Sequence, residues 1–232
     1  MDATSLDEES KGLLRRIVER TAYRQLMAAN IRGHGLKYLP GVEEKAVLAR
    51  DLEDSLGVLP QVEALYTKLG GSDLALATRD AMEKIPYPYS RLELAVCLVL
   101  CDRTERLVAE SYLDGKNKEM AAIARTLLGL ERASTKRLEG LFVEFCKEAG
   151  NRAAAQQLFN RWLAITLVAF GRANTVGDQR AMKLELRTKR VVDSLRAYLE
   201  ELKSFVEACR LTMPNPTTLG IEMPAELSSA GR

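Results

Sequence analysis

One histidine serves the whole chain. That imidazole, His34, stands between Gly33 and Gly35, so no site that needs two imidazoles can be built from these residues. The four cysteines, Cys97, Cys101, Cys146 and Cys209, lie inside apolar helical patterns and form no C-x-x-C pair. They read as reduced core residues of a cytoplasmic protein. Cys97 and Cys101 stand one turn apart, which would suit a soft metal, but packing is the reading adopted. No apolar run approaches the roughly 18 residues that span a bilayer. The longest covers residues 162–170. The acidic start, M-D-A-T-S-L-D-E-E-S, has no apolar segment and is no secretion signal. Neither sign of charge dominates: 34 basic residues face 32 acidic ones. Nothing general therefore points to nucleic acid or a membrane as partner. No run of β-branched residues alternates with polar ones, so no strand is expected. G-x-G-x-x-G, P-loop and G-x-S-x-G patterns are all missing.

What is present is apolar and helical. Apolar residues make up 47% of the 232, enough for a proper core in one large domain. Seven prolines and fifteen glycines cluster, and the clusters cut the chain into long pieces. Asp7 should cap a first helix, with Glu8 and Glu9 in its first turn and Leu13, Ile17, Leu26 (Tyr23 beside it) and Asn30 on its stripe. Gly33, Gly35 and Pro40 should end it. Residues 42–69 read as a second helix, kinked around Gly57 and Pro60. Residues 72–84 read as a short helix capped by Ser72, followed by the rigid connector I-P-Y-P-Y-S. Ser90 should cap a third long helix with Leu94, Leu98, Cys101, Glu105, Val108 and Tyr112 on its stripe. A fourth is expected over 118–148, with Ile123, Leu127, Leu130 or Glu131, Ser134, Leu138, Leu141 and Phe145 inward. Two more follow over 153–170 and 178–210. The predicted architecture is all-α: residues 1–213 as one four-helix bundle with additional C-terminal helices, and 214–232 as an extended tail.

Several stretches carry a likeness. D-S-L-G-V at 54–58 is followed by Leu65, Tyr66, Leu69 and Gly70; W-L-A-I-T-L-V-A-F-G stands at 162–171, D-S-L-R at 193–196 and L-T-M-P-N-P at 211–216. In order and spacing, over residues 10–217, these resemble the catalytic-type subunits of bacterial phenylacetyl-CoA epoxidase. That is the phenylacetic acid catabolic family of ferritin-like di-iron proteins. The resemblance implies a ferritin-like bundle. It also implies a site of about four carboxylates and two imidazoles, two helices each giving an E-x-x-H pair on one face.

Carried over position by position, at most two of the family's six ligands survive in this chain. The first-helix carboxylate becomes Gln25. The family's D-E-L-G-H becomes D-S-L-G-V, so its pair becomes Ser55 and Val58. The third-helix carboxylate is kept as Asp102, within C-D-R-T-E-R. The fourth-helix pair falls on Glu131 and Ser134 by helical stripe; counting back from Gly140 gives Ala133 and Lys136 instead, and the first register is preferred. No metal and no cofactor are therefore expected. Asp102, Glu105 and Glu131 are read as a buried polar network that replaces the metal, with Arg24, Arg103, Arg106 and Arg132 as available partners. Two alternatives stay open: plain exposure if the helical phase is off by one, and a degenerate site of oxygen ligands.

The function implied is non-catalytic, with no catalytic residues: a metal-free relative acting as structural or regulatory partner, or as a binding module. It would pair with a second copy of itself or with an oxygenase-like protein. The alternative is a metal-independent or degenerate-metal enzyme acting on an acyl-CoA or small aromatic acid, with Asp102, Glu105 and Glu131 as acid–base candidates. A module that senses the same ligands is the third reading. Arg187, Lys189 and Arg190 read as a solvated face, with contact to a phosphate as the other option. Tyr87, Tyr89, Tyr112 and Trp162 read as packing.

Overall fold

In the computed structural model, which describes residues 2–84 and 86–228, Asp7 opens the first long helix by accepting the N–H of Ser10 at 2.7 Å. This helix, α1 (Glu8–Gly35), runs on through Gly33 and closes in a 3-10 turn at Leu36–Tyr38. Gly35 matters for a different reason than stopping a helix. A Cβ there would lie 2.7 Å from the side chain of Leu94, so the glycine permits a close approach. The inward stripe also differs from expectation: Asn30 is exposed, and Arg32 is fully buried.

Two of the long predicted helices are each two helices. Residues 42–69 form α2 (Val42–Gly57) and α3 (Leu59–Lys68), parted at Val58. Pro60 sits in the first turn of α3, where the missing N–H would have no intrahelical partner, so a clean break replaces the expected kink. Asp73, not Ser72, caps α4 (Leu74–Met82) by accepting the N–H of Leu76 at 2.8 Å. Of the connector, Ile85 lies outside the described residues. Ser90 caps α5 (Arg91–Glu110), accepting from the N–H of Glu93 at 3.1 Å. Residues 118–148 form α6 (Lys118–Leu128), capped by Asn117, and α7 (Ala133–Lys147). Then come α8 (Arg152–Ala169), α9 (Val176–Lys183), capped by Thr175, and α10 (Val191–Ala208). Among the described residues no strand forms, and no helix is long and apolar enough to cross a membrane.

The centre of the packing is α5. Its residues 94–100 are buried without interruption, and it meets α1, α6, α7, α8 and α10. On the other side α1 meets α2, α3 and α4, while α2 meets α7 and α3 meets α6. The rods α1, α2–α3, α6–α7 and α5 thus close a ring. One apolar cluster gathers Leu98, Phe142, Phe159, Trp162, Tyr198 and Phe205; a second gathers Leu14, Val18, Val58, Val62, Ile123 and Ala124. Buried polar groups tie α5 to its neighbours. Glu93 accepts from the indole N–H of Trp162 at 3.0 Å, and the Tyr198 hydroxyl of α10 donates to the Leu100 carbonyl at 3.4 Å while meeting the hydroxyl of Thr166 on α8 at 2.8 Å. The segment after Met213 is less extended than expected. It carries a 3-10 turn at Pro216–Leu219 and a helical turn at Ala225–Ser228, and Met213, Leu219, Ile221 and Leu227 pack on the first cluster. Residues 229–232 of the expected tail lie outside the described residues. All four cysteines are free thiols.

Candidate functional site

The interior of the ring holds a network of side chains from four rods. Gln25 and Arg32 stand seven residues apart on α1, two turns along one face. Asp51 and Ser55 are one turn apart on α2, Asp102 and Glu105 one turn apart on α5. Arg132, Ser134 and Thr135 come from the start of α7. Arg32 donates to Asp102 at 2.6 Å, and the hydroxyl of Thr135 donates to the other oxygen of Asp102. The Gln25 amide donates to one oxygen of Glu105, and Arg132 donates to the other at 3.2 Å. Arg132 reaches further, to the hydroxyl of Ser55 and the carbonyl of Asp51, each at 3.1 Å.

Asp51 explains why the fourth rod is broken. Its carboxylate accepts the N–H of Ser134 at 3.0 Å as well as the Ser134 hydroxyl. A side chain of α2 therefore caps the N-terminus of α7, where orphan N–H groups and the helix dipole both favour a negative charge. The break leaves Arg132 in a non-helical conformation, φ −104° and ψ 64°, that aims its guanidinium inward. Three carboxylates face two guanidiniums in this network. Burial alone would push the Arg32 guanidinium down; the charges of Asp102, Glu105 and Asp51 outweigh it and hold it above its ordinary value.

The structure brings four of the six degenerate positions together: Gln25, Ser55, Asp102 and Ser134. Val58 does not join them; it is buried in the second apolar cluster, at the junction of α2 and α3. Glu131 is a correction. It lies in the irregular segment between α6 and α7 and is exposed, so it belongs neither to the network nor to the site. The helical count that placed it inward assumed an unbroken rod. The place assigned to it is taken by Arg132, its neighbour. Arg103 pairs with Glu139 at 2.7 Å and Arg106 with Glu201, so neither serves the network. Asp51 and Arg32 were missed, although both carried a signal: Asp51 is one turn before Ser55, and Arg32 two turns after Gln25. His34 packs at a tilt against Tyr87, with ring centroids 4.7 Å apart, and sits 3.4 Å from the Tyr38 hydroxyl.

A cavity of ≈ 1020 Å³ lies beside the network, between α1, α5 and α8. Asp102 and Glu105 form part of its wall, with Tyr23, Met27, Ile165 and Ile221 giving apolar surface. Arg20, Arg24, Lys84 and Arg172 add positive charge to the same wall. Arg24 donates to the Ala169 carbonyl at 2.9 Å.

The residues present do not fit a di-iron centre. Both oxygens of Asp102 and both of Glu105 already accept hydrogen bonds from Arg32, Thr135, Gln25 and Arg132. Among the described residues no three of histidine, cysteine, aspartate and glutamate gather as a metal-binding group. No model of a known protein family matches the chain, and no curated protein does.

Proposed function

We propose that the protein is a ferritin-like helical bundle in which ion pairs and hydroxyl bonds replace a metal cluster, and that it acts by binding. The ligand class is a small aromatic acid or its acyl-CoA thioester. The observation that carries this reading is the cavity between α1, α5 and α8, apolar along Tyr23, Met27 and Ile165 and basic at Arg20, Arg24, Lys84 and Arg172. An apolar body with an anionic group matches both parts. The ring of α1, α2–α3, α6–α7 and α5 supports the ferritin-like assignment. The engagement of Asp102 and Glu105 favours binding over acid–base chemistry, because every oxygen of the two already accepts a hydrogen bond from Arg32, Thr135, Gln25 or Arg132. Glu131, exposed between α6 and α7, stands outside this arrangement.

The test is a thermal-shift titration with phenylacetate and phenylacetyl-CoA, with the mixture then analysed for new products by mass spectrometry. A saturable rise in melting temperature with no product is the expected outcome. Product formation would favour the metal-independent enzyme. No shift, together with a protein that co-purifies at fixed stoichiometry or a stable homodimer, would move the function to a structural partner. Metal content per chain, measured after expression with added iron and purification without chelator, should be near zero; one or two irons per chain would overturn the replacement of the cluster.

A further inference from the structure

An overall charge of +2 hides a local concentration of arginine. Arg16, Arg20 and Arg24 stand at i, i+4 and i+8 on α1 and share one face of that helix. Like charges at this spacing weaken a helix, so the stripe works against the stability of α1 unless an anion offsets it. Arg172, Arg180 and Arg187 reach the same place from the opposite wall. The six line a cavity of ≈ 390 Å³ in which the carboxylates are those of Glu9 and Asp178. Both carboxylates are engaged. Glu9 pairs with Arg180 at 2.9 Å, and Asp178 pairs with Arg187 and accepts the N–H of Asn174 at 3.0 Å. Among the described residues no ion pair reaches Arg16, Arg20, Arg24 or Arg172.

Two further features of the cavity point the same way. The Arg187 side chain is 10% exposed, and its Nε has no hydrogen-bond acceptor among the described residues. Burial lowers both Arg24 and Arg187 from their ordinary values, and the Arg20 charge pushes each in the same direction. The N-terminus of α10, an 18-residue helix, opens on the cavity through Val191 and Ser194, which adds the positive end of its dipole.

We propose that this cavity binds a diphosphate or triphosphate group, either as the free anion or as part of a nucleotide. Guanidinium forks match phosphate oxygens in pairs, which a lysine-lined site would not do as well. Four guanidiniums without a carboxylate exceed the roughly 1.5 to 2 charges of one phosphate, so a chain of two or three phosphates gives the better balance. A volume of ≈ 390 Å³ lies at the small end of the range for ligand sites, about 300 to 1,000 Å³. Arg20, Arg24 and Arg172 line both cavities, so the experiment is built on Arg16 and Arg180, which border the smaller one alone.

The test is isothermal titration at constant ionic strength with pyrophosphate and ATP, using inorganic phosphate and sulfate as controls. The informative variant is R16Q/R180Q, since both residues are exposed and neither borders the larger cavity. Saturable binding of pyrophosphate or ATP is expected, weakened at least about tenfold in R16Q/R180Q through lost charge-assisted bonds, with the circular dichroism unchanged. If the double variant loses helical signal, R16Q alone repeats the measurement. A control variant, R79Q/R125Q, removes arginines outside both cavities and should keep full affinity. ATP binding tighter than pyrophosphate would assign a nucleotide; equal affinity would assign the phosphate chain alone. Absence of saturable binding, equal affinity for sulfate or inorganic phosphate, or full affinity in R16Q/R180Q would each overturn the proposal.

Discussion

Arg32 and Asp102 make the most consequential single contact in the interior, because a fully buried guanidinium has no water to fall back on. The pair adds little net stability against an apolar alternative of the same size, yet breaking it strands a charge. Arg32→Met should therefore cost about 3 to 5 kcal/mol, read from the urea midpoint. Adding Asp102→Leu should recover a large part of that loss, since no charge is then left behind. Equal stabilities for the single and double variants would show that the pair is not what holds α1 to α5. Asp51 offers a finer comparison. Asp51→Ala leaves the Ser134 N–H without its acceptor, whereas Asp51→Asn keeps an oxygen in place. The alanine variant should be less stable than the asparagine variant by about 1 to 2 kcal/mol. Identical midpoints would remove the cross-helix cap from the account. At this scale the sequence could be read only in part. Gln25, Ser55, Asp102, Glu105 and Ser134 stood on the right stripes, but Arg32 did not suggest itself, because an arginine inside a bundle runs against the usual pattern of burial.

Elements, unlike single residues, were legible in type and less so in extent. Asp7 and Ser90 announced their helices correctly, because each offers an acceptor just before an apolar stripe. The breaks were harder. Pro60 marked a disturbance at the end of α2, but the opening at residues 129–132 carries no proline and is enforced from two other helices, by Asp51 of α2 and Glu105 of α5, which no local reading contains. Once the rod is broken, its stripe no longer runs through, which is why Glu131 was assigned inward and Arg132 was not. The loop between α5 and α6 shows a similar dependence on distant chain. Lys116 donates to the carbonyl of Glu185 at 2.7 Å and Thr188 to that of Ser111 at 2.8 Å, clasping the turn before α10. Gly115 sits inside this clasp, and a Cβ there would lie 2.6 Å from the carbonyl oxygen of Leu186. Backbone cannot yield as a side-chain tip does, so Gly115→Ala should cost about 1 to 3 kcal/mol. Gly140→Ala, inside α7 with nothing within 4 Å of the added carbon, should gain up to about 1 kcal/mol and serves as the control. Equal melting temperatures for the two variants would mean that the clasp opens freely.

The molecule as a whole has another property that follows from its buried acids of high pKa. Apolar patterning was enough for the all-helical class, since a chain without alternating β-branched runs has few other ways to bury 47% apolar residues. Composition does not report how groups that are neutral at pH 7 respond when the pH rises. The Tyr198 phenol is fully buried between α5, α8 and α10, and burial raises its pKa well above the ordinary 10.0. Burial likewise raises the thiols of Cys97 and Cys209 above their ordinary 9.0. In each case the folded chain holds its proton more tightly than the unfolded chain does. The stability these groups provide is thus complete below the unfolded values of 9.0 and 10.0 and is lost as pH climbs through the folded ones. Unfolding free energy should fall with a slope of about 1.4 kcal/mol per pH unit for each such group inside its window. Tyr198→Phe removes one of them. It should cost about 1 kcal/mol at neutral pH through its lost hydrogen bonds, and above pH 10 its stability should decline less steeply than that of the parent. Urea midpoints collected from pH 7 to 11 decide the matter: parallel curves would mean that Tyr198 ionises as easily in the fold as in water, and that α10 leaves its hydroxyl open to solvent.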